Sequence, residues 1–251
     1  MVKRVAVIIG SNDAVSPPLT GVDADHQNYR SFLTSSAGGA WRDDEIFSIK
    51  GAVSADDLMA ALAGLANVDF ALTVFTGHGF GDEDTGLSYV CLNEDECVPV
   101  LDLVTGCPRQ LIIADSCRTF LIAADLRKGE RVILGETIDR RAEARYRASC
   151  RQLYDRAIMV ADAGSPQFMY ASAIDQPAGD SRRGGLFSTM LLGQATAWAQ
   201  DARIQGQDAH TILSTYNAHR RASREIARRR YDQHPQGDWG QRSLHLPFAV
   251  A

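Results

Sequence analysis

The sequence predicts an α/β protein with a mostly parallel central sheet covered on both faces. Three apolar runs carry that prediction: Val5–Ile9, Phe70–Phe75 and Gln110–Ala114, each the length of a fully buried strand. Amphipathic segments separate them, and alternation of strand and helix is the pattern of a parallel sheet. In such sheets the reactive groups sit in loops at the carboxyl ends of strands.

The elements follow in chain order. Val5–Ile9 stops at Gly10, and residues 11–22 read as loop, rich in Ser, Asn, Pro and Gly. Asp25 to Leu33 has helical spacing through Tyr29, Phe32 and Leu33, and Glu45 to Ile49 reads as a second strand. Ser54 caps a helix with Asp56 and Asp57 in its first turn, where the dipole favours them, and Leu58, Met59, Leu62 and Leu65 form its apolar face. Phe70–Phe75 runs into Thr76-Gly-His-Gly79, and Gln110–Ala114 into Asp115-Ser-Cys-Arg118. Thr119–Leu126 reads as helical. Residues 126–156 are crowded with arginines and predict an exposed, partly helical segment. Phe168–Ile174 reads as a strand, Leu186–Ala199 as a helix after Gly184-Gly185, residues 208–230 as one long helix, and Leu244–Val250 as the last strand. No internal repeat or low-complexity tract interrupts this order.

Hydrophobic residues make up 45% and charged residues 23% of 251, so the chain can bury a large core without a disulfide or metal staple. A formal net charge of −5 offers no global field for nucleic acid. The five cysteines, Cys91, Cys97, Cys107, Cys117 and Cys150, are odd in number and form no CxxC, which predicts free thiols in a reducing cytoplasm. The apolar run near the amino terminus is too short for a signal peptide or a membrane span, so no membrane partner is expected. Cys91, Cys97 and Cys107 lack zinc-site spacing, and Thr76–Gly81 does not satisfy GxGxxG, so neither a metal nor an organic cofactor is expected. The arginines at 220, 221, 224, 228, 229 and 230 read as a solvated helix end, since aromatic interleaving for nucleic acid is missing.

His78 and Cys117 each follow directly after a buried strand. A thiol titrates near pH ~8.5 in isolation, and a neighbouring imidazolium or helix start lowers that value. Gly77 and Gly79 flank His78 and allow a sharp turn and close approach to a substrate. The amides of Gly79 and Cys117 are natural donors to an oxyanion. Each residue also has a plainer reading. His78 is compatible with a structural turn, Cys117 with an inert buried thiol, Asp25 with a helix cap, Asp115 with a helix N-terminus, and Asp175 with a solvated loop.

Thr76-Gly-His-Gly79 after one strand and Asp115-Ser-Cys-Arg118 after the next resemble the clan of caspases and metacaspases, and in particular its prokaryotic homologues. The resemblance implies a caspase-like three-layer α/β/α sandwich over residues 1–251: a large-subunit-like part (1–125), a linker or activation segment (126–165) and a small-subunit-like part (166–251). It implies a cysteine endopeptidase with Cys117 as nucleophile, His78 as proton carrier and Gly79 at the oxyanion. Leu19 stands where a caspase places an arginine, and Asp115 where it has a glutamine. Asp25 and Asp115 are similar to the acidic pair that lines the S1 pocket of metacaspases, and Asp175 falls in the matching small-subunit strand. The implied preference is therefore for Arg or Lys at P1, because buried carboxylates select a cation. The metacaspase His-Ser-Gly after the cysteine is replaced by Arg118-Thr119. Arg140, Arg141, Arg145 and Arg147 become self-cleavage candidates. Many metacaspases need calcium; Asp82, Glu83, Asp84, Glu94, Asp95 and Glu96 offer oxygen ligands but no EF-hand spacing. The further expectation is a dormant bacterial immune effector, switched on by an activating protease or regulatory partner, with protein substrates. The competing expectations are a catalytically silent scaffold or regulator, and a small-molecule hydrolase or nucleotide-binding module.

Overall fold

The computed structural model describes residues 2–11, 18–120, 140–203 and 208–251. Its centre is a six-stranded sheet of β1 (Arg4–Ser11), β2 (Ile46–Lys50), β3 (Phe70–Gly77), β7 (Gln110–Asp115), β8 (Gln167–Tyr170) and β10 (Gln236–Asp238). Across the sheet the order is β10-β8-β7-β3-β1-β2, and only β10 runs antiparallel to its neighbour. Two smaller sheets accompany it: a meander of β4 (Gly79–Gly81), β5 (Ser88–Cys91) and β6 (Cys97–Pro99), and the pair β9 (Ile212–Ser214) and β11 (Pro247–Val250).

The central strands are buried on both faces, and alternate residues enter different cores. Ala6, Ile8, Phe70, Leu72, Val74, Leu111 and Ile113 face one side. There they meet α1 (Val22–Thr34), α3 (Arg140–Val160), α4 (Leu186–Ala202) and α5 (Thr215–Arg228). Val7, Ile9, Ala71, Phe75, Ile112 and Ala114 face the other, against α2 (Ala55–Leu62), Val90 of β5 and the turn carrying Val100 and Leu103. This period-two division makes three layers, with the sheet as the filling. Ser54 caps α2 as its sequence predicts, its hydroxyl accepting the Asp57 amide at 3.1 Å.

Several expectations change in detail. The predicted helix over 208–230 is the three-residue β9 followed by α5, because Ile212–Ser214 finds a partner in β11, far along the chain. The strand predicted over Phe168–Ile174 ends at Tyr170, and the one predicted over Leu244–Val250 begins at Pro247. The described part of the arginine-rich segment is α3, whose Tyr146, Cys150, Tyr154 and Ile158 are buried in the main core rather than exposed. Arg145 and Arg147 lie within this helix, and Arg147 is tied to the carbonyls of Thr34 and Trp41. A protease needs extended chain, so cleavage there requires α3 to unwind. Thr119 and Phe120 are not helical, and the rest of the helix predicted over Thr119–Leu126 lies outside the described residues. Free thiols are found for Cys107, Cys117 and Cys150 only, since Cys91 and Cys97 form a disulfide across the β5–β6 pair. Among the described residues, no helix is long and apolar enough to cross a membrane.

Candidate active site

The site begins with strand register. β3 and β7 are neighbours in parallel, with Thr76 opposite Asp115. His78 and Cys117 each lie two residues past that pair, so equal offsets carry them off adjacent strands that are ~4.8 Å apart. The two turns touch. A Cβ on Gly79 would fall 2.7 Å from Ser116 Oγ and 2.5 Å from the Tyr89 carbonyl, a space that only glycine fits. Gly79 then enters β4 opposite Val90, and the Cys91 amide donates to the His78 carbonyl at 2.9 Å. His78 and Cys117 are both half-buried.

Arg118 fixes the cysteine turn from beneath. Its buried guanidinium donates to Ser88 Oγ (2.7 Å), the Ser172 carbonyl (3.2 Å) and Gln236 Oε1 (2.7 Å), and stacks 4.2 Å over Tyr170. Its amide donates to the Gln176 carbonyl, and its carbonyl accepts the Asp175 amide. One side chain thus joins the meander, the cysteine turn, β10 and the segment after β8.

That segment, residues 171–185, crosses the site. Gln233 holds it by accepting the Gly179 amide (2.8 Å) and donating to the Ala171 carbonyl (2.8 Å). The Ala178 amide donates to Cys117 Sγ at 3.2 Å. Farther on, the Gly185 amide donates to Asp25 Oδ2 at 2.9 Å, and the Ser188 amide, in the first turn of α4, donates to Asp115 Oδ2 at 2.9 Å. Asp25 also accepts Thr76 Oγ1 at 2.7 Å. A Cβ on Gly184, whose φ is +111°, would fall 2.1 Å from Asp25 Oδ1, and one on Gly185 2.4 Å from Asp115 Oδ2. The Gly184-Gly185 pair therefore seals the two carboxylates, which are 0% and 5% exposed.

Asp25 and Asp115 come together as expected from the resemblance, but Asp175 does not join them. It sits exposed in a turn at φ +62°, its carboxylate accepting the Phe120 amide. The third carboxylate is Asp180, which sequence reasoning missed. Its Oδ2 accepts the amides of Thr20 (3.1 Å) and Gly21 (3.2 Å), contacts made about 160 positions back in the chain that leave no local signal.

Burial sets the electrostatics. Desolvation pushes the Asp25 carboxyl well up, and the charge of Asp115 adds to it. Asp115 rises to about 6, through burial and then the charge of Asp180, against two bonds from Ser188. Burial also raises Asp180, while the amides of Gly21, Thr20 and Ser181 and the nearby His78 pull it down. The Cys117 thiol is pushed up by burial and by the charges of Asp115 and Asp180, with the Ala178 amide opposing. Asp180 thus lies within electrostatic reach of both His78 and Cys117. Cys117 and the two residues after it are not helical, so no helix start among them opposes this rise.

Of the acidic residues considered for calcium, Asp82 folds onto the amides of Asp84 and Thr85, and Glu96 onto Asn93 and the Ala55 amide. Among the described residues, no group of three or more His, Cys, Asp or Glu is placed to hold a metal ion. No protein-family model and no curated protein matches the sequence.

Proposed function

We propose that the chain is a caspase-like cysteine endopeptidase that cleaves after Arg or Lys, in a closed, dormant state. The observation that carries the reading is the Thr76–Asp115 register, which delivers an imidazole and a thiol from adjacent strand ends beside one group of carboxylates. In the open state His78 takes the Cys117 proton, and the sulfur attacks the scissile carbonyl. The amides of Gly79 and Cys117 hold the oxyanion. His78 then protonates the leaving amine as the C–N bond breaks, and water hydrolyses the thioester. Asp25, Asp115 and Asp180 read the P1 side chain: a guanidinium or ammonium placed among them offsets their mutual repulsion and stabilises their ionised forms.

The strap of residues 171–185 supports dormancy, because a P1 side chain reaches Asp25 and Asp115 only after Gly184-Gly185 lifts. Arg182 and Arg183 are exposed beside this seal. Cleavage after either, by this enzyme or by an activating protease of like specificity, would cut the strap next to its contact with Asp25. The same seal favours a silent scaffold if the strap never opens.

The deciding experiment compares fluorogenic peptides with Arg, Lys, Asp or Leu at P1, on wild type and Cys117→Ala, before and after limited proteolysis. Arg and Lys turnover that requires Cys117 is expected. Strong Asp preference would overturn the acidic-pocket assignment. Absence of turnover, together with absence of labelling at Cys117 by an arginyl chloromethylketone, would favour the scaffold.

A further inference from the structure

We propose that the cavity between α4, β9 and α5 binds an oligophosphate, either free or carried by a nucleotide. The cavity measures about 270 Å³, and its wall includes Trp198, Asn217, Arg220, Arg221 and Arg224. The spacings 220/224 and 221/224 are one helical turn, so the three guanidiniums rise from neighbouring places on α5. Like charges at such spacings oppose helix formation. Among the described residues no carboxylate pairs with any of the three, and Glu225 is already held by Arg228 and Arg229. Residues 215–230 carry six arginines against one glutamate in a chain of net charge −5.

The helix dipole accounts for Arg228–Arg230 at the end of α5 but not for these three, which lie in its middle. One further observation points to an anion. Arg220 lies with its guanidinium carbon 5.4 Å from the Tyr216 ring centre, a facial contact that leaves its N–H edge for an acceptor. A planar guanidinium fork matches phosphate oxygens two at a time, so phosphate suits the site better than a single carboxylate. The volume admits a di- or triphosphate, and Trp198, half-buried on the wall, gives a base a surface to lie against. Nothing in this assignment depends on Cys117 being a nucleophile.

The test is calorimetric titration of the full chain with inorganic tripolyphosphate and, separately, with ATP. Arg221→Gln and Arg224→Gln preserve helix propensity, and each is expected to weaken binding of both ligands about tenfold. Arg230→Gln, with the same loss of charge at the helix end, is expected to change it less than about twofold. Trp198→Leu separates the sources: selective loss of ATP identifies a nucleotide, and no selective loss identifies a free oligophosphate. The proposal is overturned by absence of binding at millimolar tripolyphosphate, by an equal loss in Arg230→Gln, or by a polyglutamate peptide that binds as tightly as tripolyphosphate. Melting temperatures of all variants identify any that fail to fold; if Arg221→Gln is among them, Arg224→Gln decides.

Discussion

Two clusters of like charge, at opposite stretches of α4, solve the same problem differently. At the amino end of the helix, Asp25, Asp115 and Asp180 accept backbone amides, and the first two are closed off from water while Asp180 is half-buried. Farther along, Trp198 faces the cavity of Arg220, Arg221 and Arg224, where two of the three arginines are exposed. Carboxylates answer burial, and for Asp25 and Asp115 the charge of a neighbouring acid, by a raised affinity for protons, as Asp25, Asp115 and Asp180 show. Guanidiniums cannot respond that way, because arginine stays charged. Such a cluster is relieved only by distance, solvent or an anion. A group of acids can therefore shed charge by taking up protons as pH falls, whereas a group of arginines stays charged throughout.

The largest expected break in this comparison is Gly184→Val. It places side-chain atoms where Asp25 Oδ1 stands and forces a β-branched residue to φ +111°. Thermal melting should show destabilisation of about 3 kcal/mol or more, or an opened strap, detected as faster labelling of Cys117. A folded, equally stable and equally closed variant would contradict the seal. Next is Arg118→Met, which leaves Ser88 and Gln236 without their buried partner. A loss of about 2–4 kcal/mol is expected in urea unfolding, with reduced Cys117 reactivity as its turn loosens.

Asp115→Asn sharpens the acidic side through pH. The folded-state value of Asp115, about 6, lies above its ordinary value of 3.8, so the folded protein binds more protons than the unfolded chain between those values. Its contribution to stability is present below pH ~4 and is lost as pH rises through about 6. Wild type should weaken over that window and the asparagine variant less so, read from melting curves at pH 4 to 8. Conversely, an Arg peptide should bind wild type more tightly as pH climbs through about 6. The smallest effect is Arg224→Gln, expected to raise stability by about 0.2–0.5 kcal/mol at low salt by removing like-charge neighbours, an increment that should vanish at 1 M salt.

Much of the frame was legible in the sequence, for reasons visible in particular residues. Val5–Ile9, Phe70–Phe75 and Gln110–Ala114 are buried on both faces and so are written as largely apolar runs, with Thr73 and Gln110 the exceptions. The strand-end positions of His78 and Cys117 were legible because each follows directly after one of these runs. β9 was not, since three residues carry no period of their own and its pairing with β11 is remote. Asp180 looks like any loop acid until Thr20 and Gly21 fold against it. The Cys91–Cys97 pair escaped notice because its spacing acquires meaning only once β5 and β6 form a hairpin. The strap was illegible for a related reason: Ala178 meets sulfur through its backbone, which every residue type but proline shares.

The Cys91–Cys97 bridge also bears on how this protein should be handled at the bench. Cys91 grips the main chain of His78 through its own amide, so the cystine anchors the very turn that presents the imidazole. Dithiothreitol, added to keep Cys117 reduced, would preserve one sulfur while unfastening the pair beside His78. Purification and assay in parallel buffers, one with and one without reductant, separate those two consequences.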